Sequence, residues 1–210
     1  MSKYFSKEKF KYPFYVLTHP IDGYYEIRHR DRGSVPIALL IVLLFAFSYV
    51  INQLTASFIV SDVNPREVNS LSVCFGIFLI FILFCIANWS ITCLMEGEGR
   101  LKDIVIAIGY ALVPCVLTYI PATIVSQFVA ENEVAFYNMI ISIGVAYAVI
   151  LALMGIMTVH NYTLGKTLIT VFLTFVAMLI IIFLIMLFYS LIQQLVMFIS
   201  SIYTELIFRT

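Results

Sequence analysis

The chain is 210 residues long, 62% hydrophobic and 11% charged, and its twelve basic and twelve acidic residues cancel. A soluble domain carries about 25% charged residues, so this composition excludes one. The zero balance points to neither a nucleic-acid partner nor a strongly acidic one. The fold class is all-α and membrane-integral, because the apolar runs are continuous rather than alternating and no closed barrel is hinted at.

Residues 1–34 form a basic and aromatic segment that precedes the first apolar run. Tyr4, Phe5, Phe10, Tyr12, Phe14, Tyr15, Tyr24 and Tyr25 alternate with cations. Aromatics favour the headgroup zone and cations an anionic leaflet, which makes Lys9, Lys11, Tyr12, Arg28, Arg30 and Arg32 the candidates for a lipid surface. Protein docking on the same surface is the companion reading. Pro20 suits the first turn of a short interfacial helix over about 20–31, with Thr18 or His19 near its cap. The first apolar run is too long for a signal-peptide core, so no cleaved leader is expected.

A hydrocarbon core of about 30 Å needs about 20 apolar helical residues. Five stretches meet that need, over 35–60, 70–94, 104–129, 134–157 and 167–190, and together with the tail they form one membrane domain, 35–210. No Asp, Glu, Lys, Arg or His falls inside them, which argues against a proton-coupled transporter and an aspartyl intramembrane protease. Asn52, Gln53, Asn88, Trp89 and Asn138 suit contacts between spans, with a polar substrate path as the alternative. Cys74, Cys85, Cys93 and Cys115 sit in apolar runs without CxxC pairing and read as reduced packing residues. Pro114 and Pro121 lie seven residues apart in the third span, roughly on one face, with Gly109 a turn before. They predict a kink, or a bent helix that lines a groove with Tyr110 and Tyr119. Beyond Ser190 the pattern becomes amphipathic over 191–208, with Gln193, Gln194, Ser200, Ser201, Thr204 and Glu205 on one side. This extension either lies on the outer face or protrudes towards a partner.

Ten of the twelve Lys and Arg fall on one side of this five-span arrangement, in the N-terminal segment, the second loop (Arg100, Lys102) and the fourth (Lys166); Arg66 and Arg209 are on the other. The positive-inside rule then predicts a cytoplasmic N-terminus and an external C-terminus in the cell membrane. In the second loop, NWSITCLMEGEGRLKD, Gly97 and Gly99 permit the reversal. Glu96 and Glu98 are not needed for it, and with Arg100, Lys102, Asp103, His160 and Asn161 they mark a candidate docking face. Asn88 and Trp89 suit a helix contact and the interface. Glu96, Glu98, Asp103 and His160 have ligand chemistry but no metal-site spacing, and His160 has no loop Cys or Ser to act on. EGEGR follows a membrane helix rather than a strand, and no GxxxxGK loop is present. No metal, cofactor or catalytic residue is expected.

NWSITCLMEGEGRLKDIVIAIGYALVP resembles the second and third spans of the Yip family, five-span proteins whose eukaryotic members interact with Ypt/Rab GTPases. HPIDGYYEIRHRDRGSVPIA and MTVHNYTLGKTL are similar to pieces of the Gram-positive bacterial branch. The resemblance implies five helices and a cytoplasmic N-terminus. The bacterial pieces do not carry Rab binding over, since such cells lack that vesicle machinery. Bacterial relatives are often encoded beside sugar-importing ATP-binding-cassette (ABC) permeases, which implies an accessory role to a transporter. The expected function is therefore non-enzymatic: association with lipids and with another integral membrane protein, an ABC permease or a second copy of the chain. A carrier or channel for lipid or a small uncharged solute, using the kinked third span, is the alternative.

Overall fold

An apolar segment in hydrocarbon must satisfy its own backbone hydrogen bonds, and the described chain does so with helices alone. The computed structural model describes residues 7–61 and 63–208; Tyr4, Phe5 and Arg209 of the readings above lie outside them. In chain order the helices are α1 (Lys7–Thr18), α2 (Pro20–Arg30), α3 (Val35–Thr55), α4 (Ser70–Leu94), α5 (Leu101–Ala111), α6 (Val113–Ser126), α7 (Val134–His160) and α8 (Leu164–Phe208). With α5 and α6 taken together, five segments are long and apolar enough to cross a membrane. The protein is a multi-pass, all-helical membrane protein.

Several boundaries differ from the expected ones for local reasons. The third span breaks at Leu112 because Pro114, in the first turn of α6, offers no N–H to the preceding turn; the Leu112 N–H folds back to the Gly109 carbonyl instead, at 3.3 Å. The short helix at 20 is present with Pro20 in its first turn and His19 at its cap. A second helix, α1, precedes it; Pro13 lies inside it, at the cost of a single ladder bond. No boundary marks Ser190. α8 runs unbroken for 45 residues, about 67 Å at 1.5 Å per residue.

The core lies where α3, α5 and α7 meet, closed at one end by α1 and α2. Ile37, Ala38, Ile41, Ile104, Ala107, Tyr110, Ile156 and Val159 pack with Val16, Tyr24 and Ile27 of the N-terminal helices. Because Tyr24 is fully buried, the N-terminal segment contributes to the core.

Lipid tails are as apolar as leucine, so spans associate through close approach and polar contacts. Close approach is visible at Gly109, where an added Cβ would stand 2.7 Å from the Ala38 Cβ, and at Gly144, where it would stand 2.0 Å from the Thr118 hydroxyl. The polar contacts are threaded through the same interfaces. The Asn52 amide donates to the Thr123 hydroxyl at 2.9 Å and its oxygen accepts from the Tyr137 hydroxyl at 2.9 Å, joining α3, α6 and α7. The Asn88 amide donates to Thr174 at 3.1 Å, seating α8 on α4.

Gly144→Leu is expected to destabilise the bundle by about 1–3 kcal/mol through overpacking. Gly76→Ala, where an added Cβ meets nothing within 4 Å, should hold or raise the melting temperature, since glycine costs a helix interior about 0.5–1 kcal/mol. Thermal unfolding in detergent compares the two.

Candidate functional site

The polar chemistry concentrates at the end of the bundle that carries α1, α2, the 95–100 loop and the 161–163 turn, called here the basic end. Its centre is Asp103, in the first turn of α5, where a carboxylate also favours the helix dipole. The Asp103 side chain is 1% exposed. It accepts from Arg100 Nε at 2.9 Å and faces Arg28 Nη1 of α2 at 3.6 Å. Arg100 then reaches Asp31, just past the end of α2, at 3.0 Å, and Lys102 meets the same Asp31 oxygen at 2.6 Å. The result is a clasp of alternating charge that binds α2 to α5.

Asp31 and Arg100 are held in their ionised forms by their neighbours. The hydrogen bond from Lys102, helped by Arg100, keeps the Asp31 carboxyl below the usual carboxylate range. The bond to Asp103 pushes the Arg100 guanidinium further up. A second hub is Glu26, which receives Arg30 at 2.9 Å, Arg32 at 3.1 Å and the Tyr12 hydroxyl at 3.2 Å. Burial raises the Tyr12 and Tyr24 phenols, so both act as neutral donors, Tyr12 to the Gly23 carbonyl at 2.8 Å and Tyr24 to that of Ala107 at 3.3 Å.

The glycine loop is braced rather than loose. The Tyr162 hydroxyl donates to the Met95 carbonyl at 3.0 Å, the Gly97 N–H donates to the Thr92 carbonyl at 2.8 Å, and the Gly99 N–H donates to His160 Nδ1 at 3.2 Å. The left-handed residue of the reversal is Glu96, with φ 57°, and neither glycine has positive φ. Glycine is required at 97 and 99 for another reason: an added Cβ would lie 2.6 Å from a ring atom of His160 at either position. His160 is itself buried, and Asn161 caps α7 in the left-handed region with φ 55°.

The residues singled out in the sequence therefore divide. Arg100, Lys102, Asp103 and His160 are engaged within the chain, whereas Glu96 and Glu98 are exposed and form no ion pair among the described residues. Of the lipid-surface candidates, Lys11, Arg30 and Arg32 are exposed and Lys9 is half-buried, while Tyr12 turns inward and Arg28 faces Asp103. In the third span Pro114 is buried but Pro121 is exposed; Tyr110 is buried, accepting the Ser34 N–H at 3.1 Å, and Tyr119 packs against Phe45 and Tyr49. The four thus differ in burial along the span. Asn88 is buried against α8 and Trp89 is 41% exposed. Among the described residues no three His, Cys, Asp or Glu side chains converge as metal ligands would. Asp31, Glu26 and Tyr162 were not singled out in the sequence; Asp31 within RHRDRG, an acid between arginines, was the available signal.

Asp103→Asn should lower stability by about 1–3 kcal/mol, less than for a fully buried pair because the orphaned arginines can turn to water. Limited proteolysis should then cut between α2 and α3 sooner. A second outcome concerns pH. A carboxyl whose folded pKa is depressed stabilises fully above its unfolded value of about 3.9 and loses that contribution as pH falls through the folded value. The difference in melting temperature between the native chain and Asp31→Asn should be steady from about pH 5 to 8 and shrink progressively as pH falls below about 4.

No curated protein and no solved structure matches this chain. A model described as the Yip1 domain matches residues 14–187, which takes in the end of α1, all of α2 to α7 and the part of α8 seated on α4. With four spans and the first half of the fifth, α2 locked to the third span and the braced loop inside that match, the chain belongs to the Yip1 domain family.

Proposed function

We propose that this Yip1-domain protein is a non-enzymatic cell-membrane protein that works by associating with other membrane proteins, as an accessory subunit of an ABC-type sugar transporter or as a scaffold that pairs with its own copies. The supporting observation is α8. Only 6% of its most apolar stretch is buried, and every described side chain from Ile182 onward is exposed. A rigid helix of about 67 Å, more than twice a bilayer core, offers far more surface than this bundle covers. The transporter form of the proposal draws on the bacterial relatives that the loop and N-terminal pieces resemble.

The basic end is assigned to the cytoplasm from the ten-to-two distribution of Lys and Arg. There the partner would meet Glu96 and Glu98, two carboxylates held out by a loop whose backbone is tied to Thr92, His160 and Tyr162. A braced loop loses little entropy on binding, which favours recognition by a basic surface.

Purification of the tagged chain from its own host in mild detergent, followed by mass spectrometry, should recover a stoichiometric membrane partner. Recovery should fall severalfold when the chain is cut after Ser190 or when Glu96 and Glu98 are both changed to Lys. A monomer without a partner that conducts solute in liposomes would overturn the reading. The side is tested by maleimide labelling of Glu98→Cys, expected only from the cytoplasm; position 97 is unsuitable because His160 leaves its side chain no room.

A further inference from the structure

At the basic end two clefts adjoin. One, of about 540 Å³, is lined by Lys9, Lys11, Tyr12, Arg30, Asp31 and Arg32. The other, of about 430 Å³, shares Lys9 and Asp31 and adds Lys102 with Gly33, Ser34 and Val35. Five cations and one carboxylate thus surround the joint space. The cations are not equally committed. Arg30 and Arg32 divide Glu26 between them and Lys102 is spent on Asp31, whereas Lys9 and Lys11 have no ion-pair partner among the described residues. Two helices, α3 and α5, begin at this space, at Val35 and one residue before Lys102, so the positive ends of both dipoles add to the field.

The other side of α1 is apolar. Phe10, Pro13 and Phe14 roof a groove of about 170 Å³ whose floor includes Ile41 and Leu44 of α3 and Leu117 of α6. A single helix therefore divides a cation-lined cleft from an apolar groove, at the level where the first span begins. That is the polarity of an anionic amphiphile, and a free phosphate would use only half of it.

We propose that the junction of α1, α2 and the first turns of α3 and α5 is a binding site for an anionic phospholipid, the phosphate held by Lys9 and Lys11 with Arg30 and Arg32 and an acyl chain lying under Phe10 and Phe14. The site is independent of the partner docking proposed above: capture of a partner can fail while headgroup selectivity holds.

The test uses the full chain in detergent, with native mass spectrometry of bound phosphatidylglycerol, phosphatidylcholine of the same chain length, and inorganic phosphate. One molecule of phosphatidylglycerol should be retained in preference to phosphatidylcholine. The double variant Lys9→Ala/Lys11→Ala should weaken its retention about thirtyfold, from roughly 1 kcal/mol for each of the two cations near an anionic surface. Arg66→Ala, at the opposite end, should change nothing. Phe14→Ala should weaken phosphatidylglycerol while leaving its preference over phosphatidylcholine intact. Should the double variant lose its fold, Lys11→Gln, at an exposed position, repeats the measurement. Equal retention of the two lipids, or indifference to the lysine changes, would overturn the proposal. Displacement of the lipid by millimolar inorganic phosphate would overturn it too, in favour of a free anion.

Discussion

A carboxylate that has lost nearly all contact with solvent must be met by cations, and Asp103 is met by two that come from different parts of the chain. Arg100 is local, from the same turn. Arg28 is not, and its arrival fixes α2 across the end of α5. Once α2 is placed, Tyr24 is inserted between α5 and α7, and α1 folds back over the start of α3 with Val16 against Gly23. The clefts and the apolar groove exist only because α1 is held there. A change at one acid would thus be felt at sites that it does not touch.

The same constraint explains why so few charges produce a well-defined surface. Among the cations of the basic end, most are consumed in holding helices together, and those left over are displayed by the pairing itself. Glu96 and Glu98 stand out because the glycines beside them accommodate the ring of His160 rather than a loose turn. Lys9 and Lys11 stand out because Glu26 and Asp31 are already taken. Specificity at such a face is a matter of subtraction: what a partner or lipid meets is the remainder of an internal balance.

The spans were legible in the sequence because hydrocarbon leaves a chain no alternative to helix over about 20 apolar residues. The helix at Pro20 was legible for a similar reason, since a proline in the first turn is a local signal. The clasp was not. Asp31 and Lys102 are 71 residues apart, and no local rule couples them. α1 was not legible: Pro13 lies inside it, and the missing ladder bond is outweighed by burying Val16 and Tyr12. The two prolines of the third span were correctly placed seven apart, but spacing gives direction and not depth: the bundle covers their shared face at Pro114 and leaves it open at Pro121.

α8 carries one more consequence. Its lower part is keyed to α4 by Thr174 on Asn88 and by the contact of Thr170 with the sulfur of Met95. Because the helix is unbroken, that keying also sets the compass bearing of Gln193, Gln194 and Glu205, far beyond the bundle. Each residue of helix turns the chain by about 100°. Register between the two halves is therefore information: one residue inserted or lost near Ser190 would leave the bundle intact and swing the outer polar stripe through more than a quarter turn.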